Sequence, residues 1–332
     1  MTLTMSRPVW RAQFIAAVLA IIAAAAITVG IQPVSSASLA APAPAPAVAT
    51  LADVAADDPT RRVEVIVQFR GAAAYESGRD LIAGHGGTIL RDLSIIDGYG
   101  AEMRAGSAQR LLEDARVHAV SLNNTVRTEA SSAATPTSFL ESAGVDKLWS
   151  RGGPTGKGVG VAVIDTGIAG SHPDFRSSQT DGRSRVVASV VTNPDATTED
   201  DTYGHGTHVA GLIAGNSANR PAGDPLKGRY MGVAPDADLI SVKVSDDEGN
   251  ASVIDVIYGL QFVVDNADEL GIRVVNLSLS AATAESPRTD PLDAAVESAW
   301  LNGLVVVAAA GNRGTAPDAV QYAPGNDSYV IT

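Results

Sequence analysis

The chain has no cysteine, which removes disulfides, thiolate nucleophiles and thiolate metal sites together. Histidine is almost as scarce, five in 332 residues, so any proton carrier or imidazole metal ligand comes from a very short list. Aromatic residues make up 5% and charged residues 18%. The latter is low for a globular chain and signals long stretches of apolar or small residues. With 37 acidic against 24 basic side chains the formal net charge is −13, which argues against a nucleic-acid partner, since that would need a basic face.

What is present begins with a leader. Arg7 and Arg11 precede an apolar run, residues 14–31, and small residues follow in "SSASLAA". A positive start, an apolar centre and a small-residue exit predict a secretory signal peptide over 1–37, an extracellular protein, and membrane contact only during export. Residues 38–60, which include "APAPAPAVA" (41–49), read as a Pro/Ala-rich linker without a fold.

Residues 61–128 carry a different texture. "VEVIVQF" alternates and is β-branched, "AAYESGRDLIAGHGG" is a helix ending at glycine, and "TILRDLSIIDGYGAEM" supplies two strands. "SAQRLLEDARV" is helical and "HAVSLNN" a last strand, giving the order β-α-β-β-α-β of a small α+β, ferredoxin-like unit. Residues 131–136 then read as an exposed, cleavable junction. Across 129–332, continuous apolar strands ("GVGVAVID", "RVVASVV", "DLISVKV", "IRVVNLSLS", "LVVVAAAG") alternate with amphipathic helices. That alternation predicts an α/β fold, a parallel β-sheet with helices on both faces.

In such sheets function gathers at the carboxyl ends of the strands. Asp165 ends one strand and Asn312 follows another, while "HGTHVAG" (205–211) opens the helix after a third. A carboxylate after so apolar a run is costly unless a partner satisfies it. His205 and His208 are spaced i, i+3 with Gly206 and Thr207 between, unlike the i, i+4 pair with an intervening glutamate of zinc hydrolases. His205, in the first helical turn, suits a neutral general base held by a carboxylate; His208 is assigned to packing.

"VAVIDTGI" (161–168), "SHPDF" (171–175), "HGTHVAG", "VVNLSLS" (274–280) and "VVVAAAGN" (305–312) together resemble the subtilisin-like serine peptidases, in their order and over roughly residues 130–332. The resemblance implies a triad in the chain order Asp, His, Ser. Asp165 would orient the imidazole, His205 act as general base, and Asn312 donate to the oxyanion. It further implies polypeptide substrates that pair with Ser278, Leu279 and Ser280, and a specificity pocket walled by Ala309, Ala310 and Gly311. Residues 61–128 would be an inhibitory pro-domain acting within its own chain. The chemistry calls for no cofactor, although Asp174 matches a position that binds calcium in some relatives.

One motif is missing. The family's nucleophile lies in "GTSxA", which occurs nowhere in the sequence, and the last residue is 20 beyond Asn312 (332 − 312) in what reads as another strand. Two expectations result. The first is a secreted serine endopeptidase whose sequence is truncated here before the serine, inactive in this form. The second is a non-catalytic peptide-binding or inhibitor protein derived from the same family.

Overall fold

The computed structural model describes residues 49–128, 139–178, 181–217, 220, 221, 223–225, 227, 228, 230–314, 316 and 320–332. The expected signal peptide and the junction at 131–136 lie outside these residues. No helix among those described is long and apolar enough to cross a membrane.

The first structured element falls in the segment expected to be a linker. Helix α1 (Leu51–Asp57) is closed by a reciprocal cap in which Thr50 accepts from the Asp53 amide and Asp53 accepts from the Thr50 amide. Leu51 is buried in the core of the next unit. The capping pattern T-x-x-D was the legible signal.

That next unit runs β1 (Arg62–Phe69), α2 (Ala72–Glu76), α3 (Gly78–Gly84), β2 (Thr88–Leu93), β3 (Gly98–Arg104), α4 (Ala105–Leu111) and β4 (Val117–Leu122). Its sheet is antiparallel in the order β2-β3-β1-β4. The helix read over 73–87 is in fact two short pieces that break at Ser77. A Cβ at Gly78 would sit 2.6 Å from the Phe69 ring, so the chain passes too close to the sheet for a larger residue. Val65, Val67, Phe69, Ile82, Tyr99 and Met103 fill one side of the sheet. The other side turns Ile66 toward a second core, shared with two helices described below.

After β5 (Thr125–Thr128), α5 (Phe139–Ser142) and α6 (Val145–Ser150), the large sheet begins. It consists of β6 (Gly160–Asp165), β7 (Val186–Val191), β8 (Asp238–Lys243), β10 (Ile272–Leu277) and β12 (Val305–Ala308), in the order β12-β10-β6-β8-β7 and parallel throughout. Successive residues of β6 face opposite cores. Val161 and Val163 pack on α7 (His205–Ala214), whereas Ala162 and Ile164 pack on α8 (Val253–Asp265) and α9 (Pro291–Leu301). The α/β fold with helices on both faces is therefore present. The stop and start signals hold as well: Asp290 caps α9 through the Leu292 and Asp293 amides, and Pro291 takes the first helical position. Beyond β12, Ile331 bridges Val307 in the parallel sense.

Strand β5 does not join the sheet of the unit that precedes it. It lies between β9 (Ala251–Ser252) and β11 (Leu279–Ala281) in a three-stranded antiparallel sheet.

Candidate active site

Asp165 is the last residue of β6 and is fully buried. Its Oδ1 accepts a hydrogen bond from His205 Nδ1 at 2.7 Å and another from the Thr166 amide at 2.8 Å. A carboxylate only accepts, so the proton on this edge of the ring belongs to Nδ1, which leaves Nε2 as the basic nitrogen of the neutral imidazole. Oδ2 has no hydrogen-bond partner among the described residues.

His205 reaches Asp165 because α7 starts against the end of β6. Gly204, at φ +94°, is the residue before the helix and brings no side-chain cap. Gly206 must be glycine: a Cβ there would lie 2.1 Å from the Gly167 carbonyl oxygen and 3.1 Å from Asp165 Cβ. The amide of Gly206 donates to Thr166 Oγ1, which in turn donates to Asp201 Oδ1. Sequence reading missed Thr166 and Asp201. The available signal was an aspartate just ahead of a helix whose cap position is glycine.

Of the residues assigned from sequence, Asp165 and His205 are brought into contact. Asn312 stands after β12, at the same carboxyl edge of the parallel sheet, and is exposed. The two expected pocket walls emerge side by side, since the Ala309 amide donates to the Leu277 carbonyl at 3.0 Å. Ala309 and Gly311 are half-buried and Ala310 is exposed. The pairing strand is offset by one residue from Ser278–Ser280: Leu279, Ser280 and Ala281 form it, opposite Thr128, Arg127 and Val126. Ser278 stands just before the strand and accepts from Asn276 Nδ2. His208, assigned to packing, is exposed instead and borders a shallow depression with Leu212 and Tyr230.

The Asp174 carbonyl oxygen accepts from Arg185 Nη2 at 3.0 Å and from the Asn216 amide at 3.2 Å. No group of three or more His, Cys, Asp or Glu side chains among the described residues is arranged to hold a metal ion.

Comparison with known proteins gives the family. The Subtilase family matches residues 156–332. The chain belongs to the subtilase family. Serine protease AprX of Bacillus subtilis (strain 168) is 41% identical over 184 residues, covering 54% of this chain and 38% of that protein. Subtilisin E of the same organism is 33% identical over 248 residues, covering 75% of this chain and 58% of that protein. This subtilase thus spans less than two thirds of the length of either relative. Among solved structures, fervidolysin from Fervidobacterium pennivorans, described as a keratinolytic enzyme related to subtilisin, superposes with a TM-score of 0.54 at 21% identity. The match covers 77% of this chain and 40% of that one, and supports the fold.

Proposed function

We propose that this subtilase is the amino-terminal part of a secreted serine endopeptidase precursor, held inactive by its own residues 61–128. The observation that carries the reading is the buried 2.7 Å bond from His205 Nδ1 to Asp165 Oδ1 at the carboxyl edge of the sheet. In the reaction a serine hydroxyl attacks the scissile carbonyl carbon and its proton passes to His205 Nε2. Asp165 remains ionised and opposes the charge that forms on the ring. Asn312 donates to the oxyanion of the tetrahedral intermediate, and one such donor is worth about 10²–10³ in turnover. When the intermediate collapses, His205 returns the proton to the leaving amine.

The substrate is an extended polypeptide that adds a strand to β11, with backbone hydrogen bonds supplying affinity along the whole strand. Support for this comes from β5, which lies in that position, flanked by β11 on one side and β9 on the other. With β5 in the groove no other peptide can pair there, so the preceding unit acts as an inhibitor in its own chain. Its docking is reinforced where the Asn124 carbonyl accepts from the Val253 amide, and Asn123 Oδ1 from the Ile254 amide, at the start of α8.

The nucleophile is assigned to a "GTSxA" segment outside these 332 residues. The test is peptide hydrolysis by the 332-residue chain, where no turnover above background is expected. Robust cleavage, blocked by a serine-directed inhibitor, overturns that assignment. Reading the coding region past Thr332 separates the two expectations: an open frame reaching "GTSxA" supports the endopeptidase, and a stop codon supports a non-catalytic scaffold.

A further inference from the structure

The first turn of α7 is held by a carboxylate that belongs neither to the helix nor to the catalytic pair. Asp201 Oδ1 accepts from the Gly204 amide at 2.7 Å and from Thr166 Oγ1 at 2.8 Å, and its Oδ2 accepts from the Thr207 amide at 2.8 Å. Thr166 is the residue after Asp165, and its own amide donates to Asp165 Oδ1. Gly204 and Thr207 bracket His205. One side chain therefore ties the strand end that carries the carboxylate to the helix start that carries the imidazole.

A helix leaves its first amides without intrahelical partners, and glycine at the cap position has no side chain to satisfy them. Here the remedy comes from outside and from a negatively charged group, which also suits the positive end of the helix dipole. Hydrogen bonds to a charged acceptor are stronger and more directional than those between neutral groups. They fix where the first helical residue lies, and that residue is His205.

Asp201 is itself anchored. Lys243, fully buried, is the register partner of Asp165 on the neighbouring strand. Its Nζ donates to the carbonyls of Thr198 and Asp200 at 2.9 Å each, and to Asp247 Oδ1 at 2.7 Å. An ammonium has three protons to give, and each has an acceptor. The Asp200 carbonyl belongs to the peptide bond that leads into Asp201, so the ammonium sets the backbone from which the carboxylate projects.

We propose that Asp201 is a positioning residue for His205, and that Lys243 fixes Asp201 in place by holding the 198–200 loop. The inference rests on reading His205 as the proton carrier. It adds that the ring owes its alignment to a second carboxylate which never touches it.

The test uses the full 332-residue chain with ¹⁵N-labelled histidine, whose five imidazoles give few signals. A proton shared between Nδ1 and a buried carboxylate resonates far downfield and exchanges slowly with water. Loss of that signal in Asp165→Asn assigns it to His205. The expected result is that Asp201→Asn also loses the signal while the other imidazole signals persist. The amide of the new side chain would face the Thr207 N–H, donor against donor, although Oδ1 could still accept. Thr166→Val, which cuts the link to Asp201 with little change in volume, is expected to broaden it too, and it serves if Asp201→Asn does not fold. A structural cap alone would lower the thermal midpoint and leave the downfield signal of the folded protein sharp. A sharp signal in both variants, with Asp165→Asn still losing it, overturns the inference and leaves the Asp165–His205 pair standing. If Asp165→Asn itself leaves the spectrum unchanged, the pairing fails first and the inference falls with it.

Discussion

Gly206 and Asp165 approach so closely that a single added carbon on Gly206 would lie 3.1 Å from Asp165 Cβ and 2.1 Å from the Gly167 carbonyl oxygen. The second of these contacts is with backbone, which cannot swing aside. Gly206→Ala is therefore expected to push the start of α7 off the end of β6 and to separate His205 from Asp165. Overpacking of this kind costs about 1–3 kcal/mol, visible as a lowered thermal midpoint together with loss of the downfield His205 proton. A variant with an unchanged midpoint and an intact signal would show that the helix start has room to move.

Docking of the 61–128 unit onto α8 depends on amides at the head of that helix. Ser252 caps α8 from within, and Asn123 Oδ1 adds a bond from the Ile254 amide. Asn123→Ala leaves that amide to water. A helix-end contact of this type is worth about 1 kcal/mol, so hydrogen exchange at Ile254 is expected to quicken about fivefold. Amides in the middle of α8 should keep their rates. Equal acceleration along the whole helix would mean that Asn123 supports global rather than local stability.

The fold was readable where local pattern and burial agree. Val161 to Ile164 form one unbroken apolar run because both faces of β6 are covered, and Asp290-Pro291 announces α9 because cap and first-turn chemistry are local. Asp165 and His205 were readable because a carboxylate ending such a strand and an imidazole in a first helical turn are each unusual. Asp201 and Lys243 were not. Their meaning lies in hydrogen bonds to backbone groups of a loop whose path no periodicity announces. The same holds for β5, whose four residues read as the tail of one unit yet pair with strands that come more than a hundred residues later. The helix at 51–57 was hidden by the proline-rich composition of its neighbours.

A group of buried carboxyls at the start of α9 sets an expectation for pH. Asp293 is fully buried, and neither carboxyl oxygen has a hydrogen-bond partner among the described residues. Burial, and then the nearby charges of Asp290, Asp327, Glu297 and Glu285, push it up to about 9. Burial and Glu285 push Asp290 up to about 6. In the unfolded chain both ionise near about 4. The folded state thus holds the extra protons between these limits. Its stability is full at the acid end and falls as pH rises through about 6 and on toward about 9. Asp293→Asn keeps the shape and removes the titration. The expected result is a higher thermal midpoint than the parent at pH 8 and an equal one near pH 4. A constant difference across that range would assign the effect to packing.

The last expectation concerns the strand in the groove. Val126, at the centre of β5, is 5% exposed and packs in the same core as Ala251, Val253, Leu279 and Ala281. The Ala282 amide donates to the Thr125 carbonyl at 3.0 Å just beside it. Val126→Asp places a carboxylate there with no cation to meet it, at a cost above about 3 kcal/mol. The large parallel sheet does not include β5 and should hold. The strand is therefore expected to leave the groove, with faster hydrogen exchange at Thr125–Thr128 and Leu279–Ala281 and unchanged exchange in β6. An added extended peptide should then restore protection to Leu279–Ala281, because the vacated edge offers the same backbone groups to any strand. If protection persists in the folded variant, Val126 is not what anchors β5, and inhibition by this strand loses its physical basis.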